Sequence, residues 1–382
     1  MNTNNLPKNV YYDANIVNND QLDKTRPPQL IFQDIRSTPI LTYPELYEMS
    51  VVRFNLETAH SLPLWIPNIQ IEQAMYDPNL TSYSFTLTYD FNGSNYSSEQ
   101  VFVIYIPTDL SISIPLATSK EETHIPYYYI KSFNTIVEMF NNCLAEAFQR
   151  LNNSCSFFGV DLPSQNPPFF EWSSQDSKFI LNADVVAFDS SEPLHISIYT
   201  NTALYTLMSG FQAFYYGPDL SGKNYKFKIT KDIRELNLFK IDDTYSVIQL
   251  YQEYSSGALF SPISSIVFCT SMIPVQPSNS TTPLIYNGTG SLVTTGNNIT
   301  SMITDFQSQD NNGYGYCGSL SYVPTAEYRF ISLNQGASHK LSNIDLMVFW
   351  KDAYANLHPI YLYSGMTCNI KILFRKINNN EY

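Results

Sequence analysis

The chain has 382 residues, 56 of them aromatic (29 Tyr, 24 Phe, 3 Trp), and only 14% are charged, against roughly 25% in an average globular protein. That much apolar surface excludes wholesale disorder, and the scarcity of Glu, Lys and Arg excludes a coiled coil. Twenty-one Lys and Arg against 34 Asp and Glu give a net charge of −13, which repels phosphate and excludes general nucleic-acid binding across the fold.

Residues 1–26 are polar and Asn-rich, and read as an extended N-terminal arm that adds little to the fold and orders on a neighbour. They lack the charged and then apolar halves of a secretory signal, and no apolar run in the chain approaches a membrane span. From Pro27 the texture changes to short β-like runs. Residues 51–56 (VVRFNL) form one strand, and residues 82–89 (SYSFTLTY) alternate with period two, Tyr83, Phe85, Leu87 and Tyr89 sharing a face. Asn92-Gly93 and then residues 101–106 (VFVIYI) predict a hairpin with a loop longer than two residues.

One long helix is predicted over 127–151. Ile130, Phe133, Val137, Phe140, Leu144, Phe148 and Leu151 make a single apolar stripe at spacings of three and four. Pro126 suits its first turn and Asn152-Asn153 its end. Strands resume at 179–188, 195–199 and 225–230, with a short helix at 203–211. After the turn-rich stretch 217–224 (GPDLSGKN) further strands are expected at 245–251, 263–268, 319–323, 328–333, 344–350 and 366–374, with 277–300 as a long surface loop.

About eight strands on each side of that turn-rich stretch predict an all-β fold. It consists of two tandem antiparallel jelly-roll-like β-sandwiches, residues 27–218 and 219–382, with the long helix inserted in the first. A short echo, Ser50-Val-Val-Arg-Phe54 against Ser265-Ile-Val-Phe268, fits a duplication.

Chemical machinery is sparse. Cys143, Cys155, Cys269, Cys317 and Cys368 are odd in number and never in CxxC spacing, so buried free thiols are expected. His60, His124, His195, His339 and His358 stand in no metal-binding spacing. Residues 313–318 (GYGYCG) satisfy GxGxxG, but no apolar strand precedes them and no helix follows, so a glycine loop is expected. Glu121-Glu122 and Asp242-Asp243 read as solvated turns, and Lys371, Arg375 and Lys376 as the charged guard of a strand edge. The sequons at Asn92, Asn95 and Asn298 are the coincidences expected of an Asn- and Ser-rich chain. No catalytic, cofactor-binding or metal-ligating residue is assigned, and no enzyme activity is expected.

Several runs carry a family resemblance: residues 127–148 (YYYIKSFNTIVEMFNNCLAEAF), 261–268 (SPISSIVF), 322–329 (YVPTAEYR), 348–352 (VFWKD) and 371–376 (KILFRK). In texture and word order the chain resembles jelly-roll capsid proteins of small eukaryotic DNA viruses, the virophages and polinton-like viruses. The resemblance implies a virion structural protein that self-assembles into an icosahedral shell, as a double jelly-roll major capsid subunit or a penton or minor one. It further implies partnership with itself, as trimer or pentamer, and with other capsid proteins, assembly in the host cytoplasm or nucleus, no cofactor, no sequence-specific nucleic-acid binding and no membrane span. Residues 1–26 lack the Arg-rich arm of many coat proteins, and the chain is short for a double jelly-roll major capsid protein. The competing class is a carbohydrate- or receptor-binding β-sandwich, a spike or adhesin, in which exposed aromatics beside Asn and Asp would stack on sugars.

Overall fold

The computed structural model describes residues 6–18, 29–57, 61–73, 77–115, 124–241, 245–275, 285–286, 292–293, 301–307, 319–322, 329–333 and 340–377. The chain divides into two units, one inserted in the other. The first takes the described residues of Met1–Pro63, Pro262–Gln309 and Tyr316–Tyr382; the second is Leu64–Ser261.

The first unit begins where an arm is expected. Val10, Tyr12, Ala14 and Ile16 alternate with Asn9, Tyr11, Asp13 and Asn15, and this period of two makes β1 (Asn9–Val17), with Tyr12 and Ala14 buried. The Tyr12 hydroxyl donates to Asp34 Oδ2 at 2.5 Å, and Arg36 Nε donates to the same oxygen at 2.6 Å. Burial, and then the Asp34 carboxylate, push the Tyr12 phenol up to about 12. Residues 9–17 are therefore part of the sandwich, and the expected arm at 1–26 is corrected over that stretch. Next come β2 (Ile31–Ile35) and β3 (Tyr47–Glu57).

The second unit carries two antiparallel sheets and the long helix. Its elements are β4 (Leu80–Phe91), β5 (Ser94–Ser97), β6 (Val101–Ile104), α1 (Phe133–Phe157), β7 (Phe169–Ser173), β8 (Lys178–Asp184) and α2 (Val185–Phe188). β9 (Ile196–Thr200), α3 (Thr202–Leu207), β10 (Ala213–Tyr215), β11 (Tyr225–Phe227), β12 (Leu238–Lys240) and β13 (Ser246–Tyr251) complete it. One sheet runs β10-β11-β9-β4-β5 with β6 also on β4; the other runs β12-β13-β8-β7. Asn92 and Gly93, at φ 51° and 80°, form a two-residue turn between β4 and β5, and the expected hairpin of 82–89 with 101–106 forms around it, Phe85 pairing with Val101 and Ser84 with Phe102. β6 pairs with the other half of β4.

Helix α1 starts later and ends later than its predicted bounds. Ser132 caps it, its Oγ accepting from Asn134 N at 3.1 Å, while Ile130 pairs as extended chain with Trp65. Asn152-Asn153 do not stop it, because Cys155 continues the buried stripe of Phe148 and Leu151. Gly159, at φ 70°, follows the end, where Val160 N donates to Cys155 O. The buried face meets an aromatic core: Phe133 stacks on Trp172 at 3.7 Å, and Trp65 meets Phe260 at 5.3 Å.

The boundary expected at 218/219 falls inside a hairpin. β10 and β11 pair through Tyr215 and Tyr225, so residues 217–224 are its loop rather than a linker. β8 also pairs with β13 across that position. Ladder bonds on both sides of the loop keep the unit continuous to Ser261.

The chain then returns to the first unit with β14 (Ser265–Thr270), β15 (Ile285–Tyr286), β16 (Leu292–Val293), β17 (Ser301–Phe306), β18 (Ser319–Tyr322) and β19 (Ile331–Ser332). β20 (Asn343–Lys351), β21 (Leu357–Pro359) and β22 (Thr367–Lys376) close it. One sheet orders as β1-β22-β3-β18 with β19 on β3, the other as β16-β15-β21-β20-β14-β17 with β2 on β20. Among the described pairs only β15–β21 is parallel. The echoing words at 50–54 and 265–268 lie in β3 and β14, one in each sheet, and Phe54 meets Phe268 at 5.0 Å. The tandem order is thus corrected to a nested one: the first sheet pairs β1 with β22 across almost the whole sequence, and the second unit is an excursion between β3 and β14.

Candidate assembly surface

Among the described residues, several of the groups that could carry chemistry are engaged in holding the fold. Cys143, Cys155, Cys269 and Cys368 are buried free thiols, and burial pushes Cys143, Cys269 and Cys368 up to about 12, far from a nucleophilic thiolate. His195 Nδ1 lies 2.7 Å from the Glu192 carbonyl oxygen, and the His124 carbonyl oxygen accepts from Tyr129 Oη at 3.3 Å. Cys317, the glycine run 313–318, His60, His339, Glu121, Glu122, Asp242, Asp243 and Asn298 lie outside the described residues.

An Asp–His pair appears that no sequence motif signals. His358 Nε2 is 2.9 Å from Asp352 Oδ2, and its ring stacks on Trp350 at 4.0 Å. The same carboxylate accepts from Tyr354 N, Asn356 N and Asn356 Nδ2, so it builds the turn between β20 and β21.

Asp345 does comparable work at the end of β14. It accepts from Thr270 Oγ1, Ser271 N at 2.8 Å, Ser271 Oγ at 2.7 Å and Met272 N at 2.9 Å. Burial alone would raise its carboxyl, but these bonds outweigh burial and hold it below the usual range. Replacing Asp345 with Ala strands several donors and is expected to cost about 3 kcal/mol. The charge part of that stability is fully present above the unfolded carboxyl value, about 3.9, and is lost as pH falls through the lower folded value. The deficit of Asp345→Asn against the native chain should therefore be flat above pH ~4 and shrink below it in urea titrations. A deficit that grows on acidification contradicts the assignment.

The C-terminal cations are placed differently from expectation. β22 lies between β1 and β3 rather than at an edge. Lys371 Nζ is 3.2 Å from Asp13 Oδ1, and Arg375 Nη2 is 2.6 Å from Glu48 Oε1 with its guanidinium 3.7 Å from the Phe330 ring. These cations tie neighbouring strands together.

Among the described residues, the second unit exposes aromatic side chains along one side. β10 is an edge strand, and Phe214, Tyr215 and Tyr216 stand more than half exposed along it. Tyr205 stacks on Tyr225 at 3.9 Å and 11°, Tyr225 meets Tyr215 at 4.9 Å, and Tyr216 meets Tyr199 at 5.8 Å. Only Tyr205 and Tyr225 stack face to face, and Tyr215 and Tyr216 keep most of their surface open to a partner. At the adjoining edge, Ile233, Leu236 and Phe239 are exposed beside β12. Sequence patterning alone does not separate these side chains from core aromatics, because exposure depends on which strand ends the sheet. No helix among the described residues is long and apolar enough to cross a membrane.

A nested pair of antiparallel sandwiches with open apolar edges has counterparts among known proteins. The family model described as Sputnik minor capsid protein V18/19 matches residues 10–376. The chain belongs to that family. It is a minor capsid structural protein of the virus particle, which narrows the expectation of a major or minor subunit to the minor one. The uncharacterized protein V18 of Sputnik virophage is 34% identical over 162 residues, 41% of this chain and 90% of V18. Structural protein V19 of the same virophage is 23% identical over 221 residues, 56% of this chain and 96% of V19. A chain in the 3.5 Å cryo-EM structure of the Sputnik virophage aligns with TM-score 0.78 and 25% identity, over 99% of this chain and 100% of that one. The mavirus penton protein shares the fold, with TM-score 0.61 and 16% identity over 97% of this chain and 100% of its own.

Proposed function

We propose that copies of this chain close into a ring at a vertex of an icosahedral shell, as a penton of five, and sit there beside other capsid proteins. The observation that carries the reading is the likeness of 99% of the chain, at TM-score 0.78, to a chain from a virophage particle. The open sheet edges and exposed aromatics of the second unit supply contact surface of the kind subunits bury against one another.

The role is structural and needs neither cofactor nor catalysis. Thiols raised by burial and carboxylates occupied as turn acceptors favour that reading. The net charge of −13 argues against the protein packing a genome by direct phosphate contact. Assembly would take place inside the infected cell, in cytoplasm or nucleus. Native mass spectrometry of nuclease-treated protein tests the proposal. A discrete oligomer, expected at five copies and free of nucleic acid, supports it; a monomer at every concentration contradicts it.

A further inference from the structure

β1 closes one side of the first unit. The sheet order β1-β22-β3-β18 leaves it with a single partner, and no other described strand pairs with it. Its pairing with β22, from Asn9 with Arg375 to Val17 with Thr367, runs without a register shift. Just beyond its ends, Lys376 N donates to Lys8 O at 2.8 Å and Asn18 N donates to Met366 O at 3.1 Å. Hydrogen-bonded pairs recur at every second residue of an antiparallel ladder. Val10, Tyr12, Ala14 and Ile16 therefore bond to β22, while Asn9, Tyr11, Asp13, Asn15 and Val17 aim their N–H and C=O groups outward. Among the described residues, none bonds to these outward groups.

This edge lacks the usual guards. Strands that end a sheet are normally kept short or blunted with Lys, Pro or a bulge. The other described strands that end a sheet here have two to six residues, and β1 has nine. Residues 9–17 (NVYYDANIV) hold no Pro, no Lys and no bulge. Their one charge, Asp13, is met by Lys371 Nζ at 3.2 Å and Arg53 Nη2 at 3.7 Å. Tyr11 and Val17 are 59% and 50% exposed on the same face, an aromatic and a β-branched side chain of the kind that pairs across strands.

We propose that an extended segment of another capsid protein adds to β1 as a further strand. The main chain selects the occupant. Outward N–H and C=O groups from five residues in one line are matched by an extended backbone. A helix bonds its own groups internally, and a phosphate or a sugar spans too little of the row. The β1 of a second copy is a poorer match. Its full-length antiparallel register sets Asp13 against Asp13, and a two-fold contact has no place between neighbours in a ring. The segment is expected to be uncharged or basic opposite Asp13, and aromatic or β-branched opposite Tyr11 or Val17. The inference rests on the reading that the chain sits beside other capsid proteins, and names the surface that meets them.

Hydrogen exchange of the β1 amides tests it, compared between the purified full chain and virus particles that contain it. In the purified chain the amides of Tyr11, Asp13 and Asn15 should exchange fast, and those of Tyr12 and Ala14 slowly. In particles the first three should slow about tenfold or more. Equal exchange in the two samples overturns the inference. So does protection already present in the purified oligomer, which makes a second copy the occupant. A second arm uses a capped, labelled peptide of alternating Val and Thr, read by fluorescence polarisation. Asn15→Pro deletes one outward N–H and no bond to β22. It should weaken peptide binding about tenfold with the urea midpoint unchanged, while Asn15→Ala stays within about threefold of the native chain. If Asn15→Pro is destabilised, Val17→Pro at the strand end replaces it. A native chain that ignores the peptide, or an equal loss in both Asn15 variants, overturns the strand site while leaving ring assembly intact. A chain that binds the peptide as described but never forms a ring fails the assembly reading alone.

Discussion

Deletion of residues 1–18 is expected to destabilise the first unit by about 5 kcal/mol or more, rather than leave its melting unchanged as for a free arm. β1 pairs with β22 over nine residues, from Asn9 with Arg375 to Val17 with Thr367. Its removal exposes that flank of β22 and uncovers side chains that Tyr12 and Ala14 now pack against. It also deletes the Tyr12–Asp34 hydrogen bond, the 2.8 Å bond from the Tyr47 hydroxyl to the Pro7 carbonyl, and the Asp13 partner of Lys371. The surface ion pair contributes little, so most of the loss comes from the ladder and the buried side chains. Urea unfolding of the truncated chain checks this. A midpoint within experimental scatter of the full chain would contradict the placement of β1.

Phe140→Ala is expected to cost about 4 kcal/mol, with the loss falling on the second unit. Phe140 is fully buried on α1, with ring centroids 6.2 Å from Trp65, 6.1 Å from Phe85, 6.0 Å from Phe170 and 6.4 Å from Phe179. Those rings come from β4, β7, β8 and the segment before β4, so no single neighbour can relax to fill the gap. The control is Gln149→Ala on the exposed face of the same helix, expected within about 0.5 kcal/mol of the native chain. Equal losses for the two would show that α1 is not packed as described.

The elements with strong local periods are legible in the sequence. The alternation of residues 82–89 is β4, and Cys368, Ile370, Ile372 and Phe374 are the buried face of β22. The apolar stripe of α1 is equally plain, but its start is set by the Ser132 cap, a weaker signal than Pro126, and its end by Cys155 beyond the asparagines. β1 carries a clear alternation in Val10, Tyr12, Ala14 and Ile16, which the Asn-rich composition around it hides.

Nesting is not legible, for a physical reason. The partners of β1 lie 350 to 366 residues away, and nothing local in either strand names the other. Two sandwiches in series and one inside the other have the same strand count and the same turn signals. The assembly surface is not legible, because the exposure of Tyr215 and Phe239 follows only from which strands end the sheets.

Negative-stain electron microscopy of the purified, nuclease-treated full chain tests the central claim most directly. Self-assembly through the edges of the second unit predicts ring-shaped particles of uniform size, without nucleic acid and without any added partner. A field of separate monomers at high protein concentration and moderate salt, from a chain that instead binds a glycan array, would contradict it.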